Sequence, residues 1–309
     1  MASFPVCEPV PVVLVTGFLG AGKTTLVNGL LEADHGLTLA AIVNDFGAIN
    51  IDETLLSAAG QPVYGLANGC ICCSLQGDLL RTLRFILAVK PHPDAIVIEA
   101  SGTSDPRGII ETLCDPVLRD AVKLDAVVTV VDAEDFDERD ALWRSQLYAC
   151  DFVVLAKTEG AIPERLQVLD LILSEAKKAH VFKCGIKDRI PVDALLGNSR
   201  DRPSAFMARG PLPIRDERFR RLDWSHPEPV SLERFQSVIQ HLVPVLVRAK
   251  GYVRVKGKAG TYLFQLVGRR ASMAPVETQH LGSQLVFIGY AEKFDAEAAA
   301  TELEALKRG

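Results

Sequence analysis

The chain has 309 residues, of which 48% are hydrophobic and 24% charged. This length and apolar content exclude an intrinsically disordered protein and favour two folded domains over one. The formal net charge of -5 gives no broad basic surface for nucleic acid or an anionic membrane. We therefore expect small ligands and protein partners, with no nucleic acid and no membrane, while a homo-oligomer stays open.

Short apolar runs rich in β-branched residues recur through the first two thirds of the chain, as is typical of buried parallel strands. Helix-compatible stretches separate these runs. Repeated strand and helix units predict an α/β domain with a mostly parallel central sheet and helices on both faces. The predicted strands are Val12 to Val15, Leu39 to Val43, Ile96 to Ile98, Ala126 to Val131 and Phe152 to Ala156.

The first strand leads into a glycine-rich loop, which reads GFLGAGKT from Gly17 to Thr24 and matches G-x-x-x-x-G-K-[ST]. In such a P-loop, Lys23 reaches the outer phosphates of a nucleotide and Thr24 ligates magnesium. A ligand-free glycine turn is the alternative, and the coincidence of glycines, lysine and hydroxyl between a strand and a helix argues against it. The remaining predicted nucleotide-binding residues of the loop are Gly17, Gly20, Ala21, Gly22 and Thr25.

Three of the seven cysteines, Cys70, Cys72 and Cys73, crowd into one short segment before a predicted helix from Asp78 to Val89. Such crowding favours a local thiolate site in a reducing compartment over a disulfide framework. The stretch before Val12 does not have the pattern of a secretory signal, so we expect a cytoplasmic protein. Three thiolates can converge on one transition-metal ion, with packing, a structural zinc knot or a redox switch as alternatives.

An acid, Glu99, follows the third of the predicted strands, and Gly102 comes three residues later. The carboxyl ends of parallel strands meet at one edge of a sheet, where a γ-phosphate and its magnesium ion lie. We predict that Glu99 holds or polarises a magnesium-bound water, and that it forms the catalytic set with Lys23 and Thr24. A helix-capping acid is the alternative.

The strand and helix pattern lapses into Arg-, Pro- and Asp-rich sequence after residue 197. We therefore predict a P-loop domain at residues 1–197, a linker at 198–222 and a smaller α+β domain at 223–309. The predicted elements of this last domain are a helix from Ser231 to His241, strands at Gly251 to Val255, Thr261 to Val267 and Gln284 to Tyr290, and a helix from Asp295.

Four motifs occur together in the first domain: the P-loop, VNDFG from Val43, GCICCS from Gly69 and IEASG from Ile98. In order and spacing they resemble the CobW-type P-loop metallochaperone GTPase family. The resemblance implies magnesium-dependent GTP hydrolysis, slow without a partner or metal. It also implies delivery of zinc or cobalt to a client metalloprotein or a metal-cofactor pathway.

The resemblance also implies a ligand set for the transferred metal. By analogy with the acid at this position in the family, Asp45 is the predicted fourth ligand beside the three clustered cysteines. Zinc accepts tetrahedral sulfur ligation completed by an oxygen. The predicted metal ligands for Zn²⁺ or Co²⁺ are therefore Cys70, Cys72, Cys73 and Asp45.

The base-recognition segment departs from the family, which usually has Asn-Lys-x-Asp where this chain has Ala156-Lys157-Thr158-Glu159. By resemblance, Lys157 and Glu159 are expected to contact the base. Glu159 is one methylene longer than aspartate, and Ala156 cannot replace an asparagine amide. We therefore expect GTP as the nucleotide and leave ATP open.

Taken together, the motifs predict a metal-binding P-loop GTPase that couples nucleotide binding and slow hydrolysis to transfer of a transition metal to a client. Two other classes stay open. A P-loop kinase acting on a small molecule would leave the cysteine cluster without a mechanistic purpose. A non-hydrolysing regulator that responds to nucleotide and metal would suit the departure at Ala156.

Overall fold

The structure is a computed structural model, and it describes residues 9–43, 55–56, 60–65, 74–178, 180–184, 189–197, 216–276 and 282–307. The chain divides into two compact units, Met1–Arg202 and Pro203–Gly309. Within the described ranges, no helix has the length and apolar character needed to cross a membrane.

Eight strands form the sheet of the first unit. They are β1 (Val10–Thr16), β2 (Leu39–Val43), β3 (Leu55–Leu56), β4 (Pro62–Gly65), β5 (Ala95–Glu99), β6 (Val122–Asp132), β7 (Phe152–Ala156) and β8 (Val181–Lys183). Their order across the sheet is β3-β4-β2-β5-β1-β6-β7-β8. All neighbours run parallel except β3 and β4, which are antiparallel. The predicted mostly parallel α/β fold is confirmed.

Six helices are described in this unit, five of them between strands of the sheet and one after β8. They are α1 (Lys23–Glu32), α2 (Ser74–Ala88), α3 (Pro106–Leu113), α4 (Ala141–Ala149), α5 (Pro163–Glu175) and α6 (Val192–Leu196). The side chains of Asp105 and Asp140 accept backbone N–H bonds at the starts of α3 and α4. These caps satisfy amides that have no partner inside the helix. Helix α2 begins at Ser74, earlier than the predicted start at Asp78.

All seven residues of β1 are buried, because helices cover both faces of the sheet. The strand lies between β5 and β6, where Val15 pairs with Glu99 and Thr16 pairs with Thr129. Since all three strands run parallel, their carboxyl ends lie at one edge of the sheet. The loops that follow β1, β5 and β6 therefore lie side by side.

The described residues of the second unit form a five-stranded antiparallel sheet, two α-helices and a 3-10 helix at Ala305–Lys307. Its elements are β9 (Phe219–His226), α7 (Leu232–Leu242), β10 (Leu246–Val253), β11 (Thr261–Val267), β12 (Arg270–Val276), β13 (Ser283–Tyr290) and α8 (Ala296–Glu304). The strands lie in the order β12-β11-β10-β13-β9. Phe235 of α7, Phe287 of β13 and Leu303 of α8 share one buried cluster. The predicted α+β class is confirmed for this unit.

Two strands of this sheet were not predicted. Strand β9 begins at Phe219, inside the range predicted as a linker. Its charged residues Arg220, Arg221 and Asp223 interrupt the alternation of apolar and polar residues that would predict a strand. Strand β12 lies at an edge and exposes most of its residues, so it carries little apolar pattern. The rest of the predicted linker, up to residue 215, falls outside the described residues.

Candidate functional site

The glycine-rich loop leaves β1 after Thr16 and enters α1 at Lys23. Gly17, Gly20 and Gly22 have φ angles of 141°, 76° and 98°. This left-handed region is open to glycine and strained for other residues. Gly22 is the N-cap of α1 and offers no side chain to the first amides of the helix. These N–H groups, with the positive end of the helix dipole, form an anion site.

Lys23 is buried beside the loop, with only 7% of its surface exposed. Its Nζ donates a hydrogen bond to the backbone oxygen of Phe18 at 3.0 Å, so the side chain folds back over the loop. Burial lowers the pKa of Lys23, and the charge of the Glu99 carboxylate opposes that shift. The loop thus holds a cationic group where outer phosphates would bind.

Thr24 and Glu99 meet at the mouth of the loop. Thr24 Oγ1 donates a 2.7 Å hydrogen bond to Glu99 Oε1, although the two residues are 75 positions apart. Glu99 ends β5 and is 7% exposed. A hydroxyl and a carboxylate are the oxygen donors that magnesium prefers beside nucleotide phosphates, so this pair fits a magnesium ion.

Gly102 packs directly against the P-loop. A Cβ atom added there would lie 2.7 Å from Leu19 Cα and 3.0 Å from Lys23 Nζ, so only glycine fits without displacement. The structure therefore brings together Lys23, Thr24, Glu99 and Gly102, four of the predicted site residues. Lys23 and Thr24 begin α1, Glu99 ends β5, and Gly102 lies in the loop that follows β5.

Lys157 follows β7 and is held by an acid that the sequence analysis did not assign to the site. Its Nζ donates to Asp132 Oδ2 at 2.5 Å, and this hydrogen bond raises the pKa of Lys157. Asp132 Oδ1 in turn accepts the backbone N–H groups of Glu134 and Asp135. In the sequence, Asp132 was recognisable only as an acid at the end of a predicted strand, β6.

Ala156 and Glu159 flank this lysine. A Cβ added at Gly22 would lie 3.7 Å from Ala156 Cβ, so the end of β7 borders the P-loop. Glu159 is exposed. The end of β7, where the predicted base-recognition segment begins, thus lies beside the phosphate loop, at the same edge of the sheet.

The predicted metal ligands Cys70, Cys72, Cys73 and Asp45 lie outside the described residues. Among the residues that are described, no group of three or more His, Cys, Asp and Glu side chains is arranged to hold a metal ion. Helix α2 begins at Ser74, next in sequence to Cys73. The ligand set therefore stays a prediction from the sequence.

Another residue that the sequence did not single out contacts the site. Gln146 of α4 donates from Nε2 to the carbonyl oxygens of Gly102 and Ser104, at 3.3 and 3.2 Å. No local motif marks it, because its partners lie 44 and 42 positions away. The contact links α4 to the loop that borders the P-loop.

A parallel sheet with a glycine-rich loop between β1 and α1, a buried lysine and a hydroxyl–carboxylate pair defines the first unit as a P-loop nucleotide-binding domain. Residues 11–182 match the family model of the CobW/HypB/UreG nucleotide-binding domain. Residues 219–307 match the model of the cobalamin synthesis protein CobW C-terminal domain. The chain belongs to the CobW family, as its motifs predicted.

Curated relatives support this assignment over nearly the whole chain. The zinc chaperone YjiA of Escherichia coli K12 is 31% identical, across 91% of this chain and 94% of the relative. The zinc chaperone CobW of a Sinorhizobium species is 30% identical, across 94% and 96%. Among solved structures, zinc-bound YjiA GTPase from Escherichia coli is similar at 26% identity and a TM-score of 0.46, covering 97% and 99% of the two chains.

Proposed function

We propose that this protein is a metal-handling GTPase that couples GTP binding and slow hydrolysis to the transfer of zinc or cobalt to a client protein. The observation that carries the proposal is the 2.7 Å contact between Thr24 Oγ1 and Glu99 Oε1 at the mouth of the P-loop. The three-cysteine motif of the sequence and the names of the relatives, zinc chaperone and zinc-regulated GTPase metalloprotein activator, support the metal role.

In this proposal the P-loop binds the phosphates of GTP. The amides at the start of α1 and the ammonium of Lys23 neutralise the outer phosphate oxygens. Thr24 and Glu99 would hold a magnesium ion, which when bound supplies further positive charge at the phosphates. Glu99 orients the attacking water through its carboxylate. A cationic group from a partner would complete charge neutralisation, so we expect slow turnover by the protein alone.

Base recognition is assigned to the segment after β7. The Asp132 carboxylate holds Lys157 in place, and the exposed Glu159 carboxylate is the proposed acceptor for the donor edge of guanine. ATP is the second candidate, because Ala156 supplies no side-chain amide. Guanine can donate two hydrogen bonds to one carboxylate, and adenine does not present the same pair of donors.

The transferred ion is assigned to Cys70, Cys72, Cys73 and Asp45, with zinc or cobalt as cargo. Thiolates with one carboxylate suit a borderline cation. The metal segment lies in the sequence between two stretches of the P-loop unit. We assign this site and the nucleotide site to a domain at residues 1–197, followed by a linker at 198–222 and a CobW C-terminal-like domain at 223–309.

The test is a zinc titration of reduced protein against a competing chromophoric chelator. It is run without nucleotide, with magnesium and a slowly hydrolysed GTP analogue, with GDP, and with the matching ATP analogue. We expect zinc affinity to depend on the cysteines, shown by Cys72→Ser, and to differ between the triphosphate and diphosphate states. Equal zinc affinity in every state would overturn the coupling, and a phosphorylated small-molecule product would favour a kinase.

A further inference from the structure

Gln146 is a polar side chain that is 0% exposed, on the face of α4 that packs against the sheet. One nitrogen, Nε2, lies within hydrogen-bond distance of both Gly102 O and Ser104 O. A side-chain amide carries two N–H donors on that nitrogen, so it can serve both carbonyls at once. The loop after β5 is therefore held at two points by one side chain.

The two carbonyl acceptors also decide which end of the amide faces the loop, since an oxygen there would face two other oxygens. Within the part of the chain that the structure describes, Gln146 Oε1 is buried without a hydrogen-bond partner. An apolar side chain would fill the same space without that cost. A role in packing alone does not explain a glutamine at this position.

The backbone around Gln146 is anchored to the central strands. Its carbonyl oxygen accepts a 2.7 Å hydrogen bond from Thr129 Oγ1 of β6. Thr129 pairs in register with Thr16, the residue that precedes the P-loop. The amide of Gln146 therefore projects from a support that is fixed relative to the first glycine of that loop.

The neighbouring residue of α4, Ser145, lies near the far end of the same loop, where its side chain helps to lower the pKa of Asp105, the N-cap of α3. Helix α4 thus donates hydrogen bonds to the loop at Gly102 and Ser104. Gly102, at the near end, lies against Leu19 and Lys23 of the P-loop.

We infer that Gln146 is a positioning residue that sets the distance of the Gly102 to Ser104 loop from the phosphate site, and that it thereby lets the protein distinguish a nucleoside triphosphate from a diphosphate. The inference rests on the proposed nucleotide function. Segments that contact a γ-phosphate are ordered by it and released without it. If Gln146 already holds the loop at the binding distance from the phosphate site, less conformational entropy is lost when the triphosphate binds.

The test compares Gln146→Met with the unaltered protein. Methionine has a similar length and no N–H donor. Affinities for fluorescent GDP and for a slowly hydrolysed GTP analogue are measured with magnesium, together with the matching adenine nucleotides. We expect the preference for triphosphate over diphosphate to fall roughly tenfold, the effect of losing one or two neutral hydrogen bonds. Diphosphate affinity should change less than about threefold, since GDP lacks the phosphate that the loop would contact.

Leu147→Val is the matched control, because Leu147 is the next residue of α4, is buried in the core and makes no hydrogen bond to the loop through its side chain. It should lower the melting temperature while leaving the triphosphate preference unchanged. Gln146→Asn is a second variant, which is used if Gln146→Met does not fold. It keeps the amide on a side chain that is one methylene shorter, so it should lose less of the triphosphate preference than Gln146→Met.

The outcomes separate the two proposals. If the unaltered protein binds neither guanine nucleotide, the proposed nucleotide function fails. If it binds both without a triphosphate preference, the positioning role is wrong although the nucleotide function stands. If it shows the preference and the Gln146 variants retain it, the positioning role is wrong. If Leu147→Val loses the preference to the same extent, the effect comes from the general stability of α4 and the inference is overturned.

Discussion

Thr24 Oγ1 and Glu99 Oε1 lie 2.7 Å apart, and this single hydrogen bond joins the first turn of α1 to the end of β5. It connects the residue that follows the P-loop lysine to the acid of the neighbouring strand. Because both oxygens are of the types that ligate magnesium, these two residues would hold the ion beside the phosphates. The pair therefore makes magnesium dependence the most direct property to measure.

Thr24→Ala should weaken magnesium-dependent binding of a GTP analogue by roughly tenfold to a hundredfold, the loss expected for a hydroxyl that bonds a charged group. Thr24→Ser, which keeps the hydroxyl, is the control and should retain most of the affinity. Equilibrium binding with and without magnesium measures both. If Thr24→Ala keeps the full magnesium effect, Thr24 is not a ligand of the ion.

Glu99→Gln should reduce GTP hydrolysis by roughly a hundredfold or more, since removing a catalytic carboxylate typically costs this much. It should also weaken magnesium-dependent nucleotide binding, because Glu99 is the proposed partner of Thr24 in holding the ion. Single-turnover phosphate release measures the effect. Glu111→Gln makes the same chemical change at an exposed position of α3 and should be silent. Retained hydrolysis in Glu99→Gln would assign the acid a structural role.

Gly102→Ala should impair nucleotide binding, because the added methyl group would lie 2.7 Å from Leu19 Cα and 3.0 Å from Lys23 Nζ. Gly108→Ala is the matched control in α3, where an added Cβ meets nothing within 4 Å. It should raise stability by about 0.5–1 kcal/mol, the helix preference of alanine over glycine. Binding and thermal unfolding of both variants test this, and normal nucleotide binding by Gly102→Ala would show that the loop can move away.

Asp132→Asn should remove the charge that holds Lys157 and weaken binding of a GTP analogue by up to about fivefold, the worth of a partly exposed ion pair. Affinity for inorganic triphosphate should not change, because the P-loop alone binds it. Isothermal titration with both ligands measures the difference. An equal loss for both ligands would place Lys157 on the phosphates instead of the nucleoside.

Asp105 should make folding stability depend on pH in the acid range. Its hydrogen bond with Arg107 lowers the pKa of Asp105 from 3.8 to about 2. A group whose pKa is lower in the folded state contributes stability that is fully present above its unfolded pKa, and this contribution is lost as pH falls toward the folded value. The urea midpoint of Asp105→Asn, which keeps a capping side chain, should therefore approach that of the unaltered protein as pH falls through this range. A constant difference would contradict the pairing.

The P-loop, strands β1, β2, β5, β6 and β7, and the place of Glu99 at a strand end could be predicted from the sequence, whereas β3, β4 and β8 were not predicted. Local chemistry specifies the predicted features: left-handed turns need glycine, buried strands need continuous apolar residues, and a strand-ending acid lies at the sheet edge by topology. The family followed from motifs that are short and contiguous. The cysteine cluster with Asp45 stays a prediction, as it falls outside the described residues.

Strands β9 and β12 were not predicted, because neither has a clear periodic pattern of apolar residues. The pattern of β9 mixes arginines and an aspartate with its apolar residues, and β12 is a largely exposed edge strand, so neither shows a clear period. Pairing with β13 and β11 decides their conformation, and pairing is a property of the assembled sheet.

The sequence by itself therefore determined the family and the class of fold, and it predicted the residues of the phosphate site, because those depend on residues close together in the chain. Only the tertiary structure decided which distant side chains support that site. Gln146 reaches Gly102 across 44 positions, and Lys157 reaches Asp132 across 25. Such contacts arise when parallel strands and their helices pack together, and no local propensity encodes which polar groups will then lie within hydrogen-bond distance.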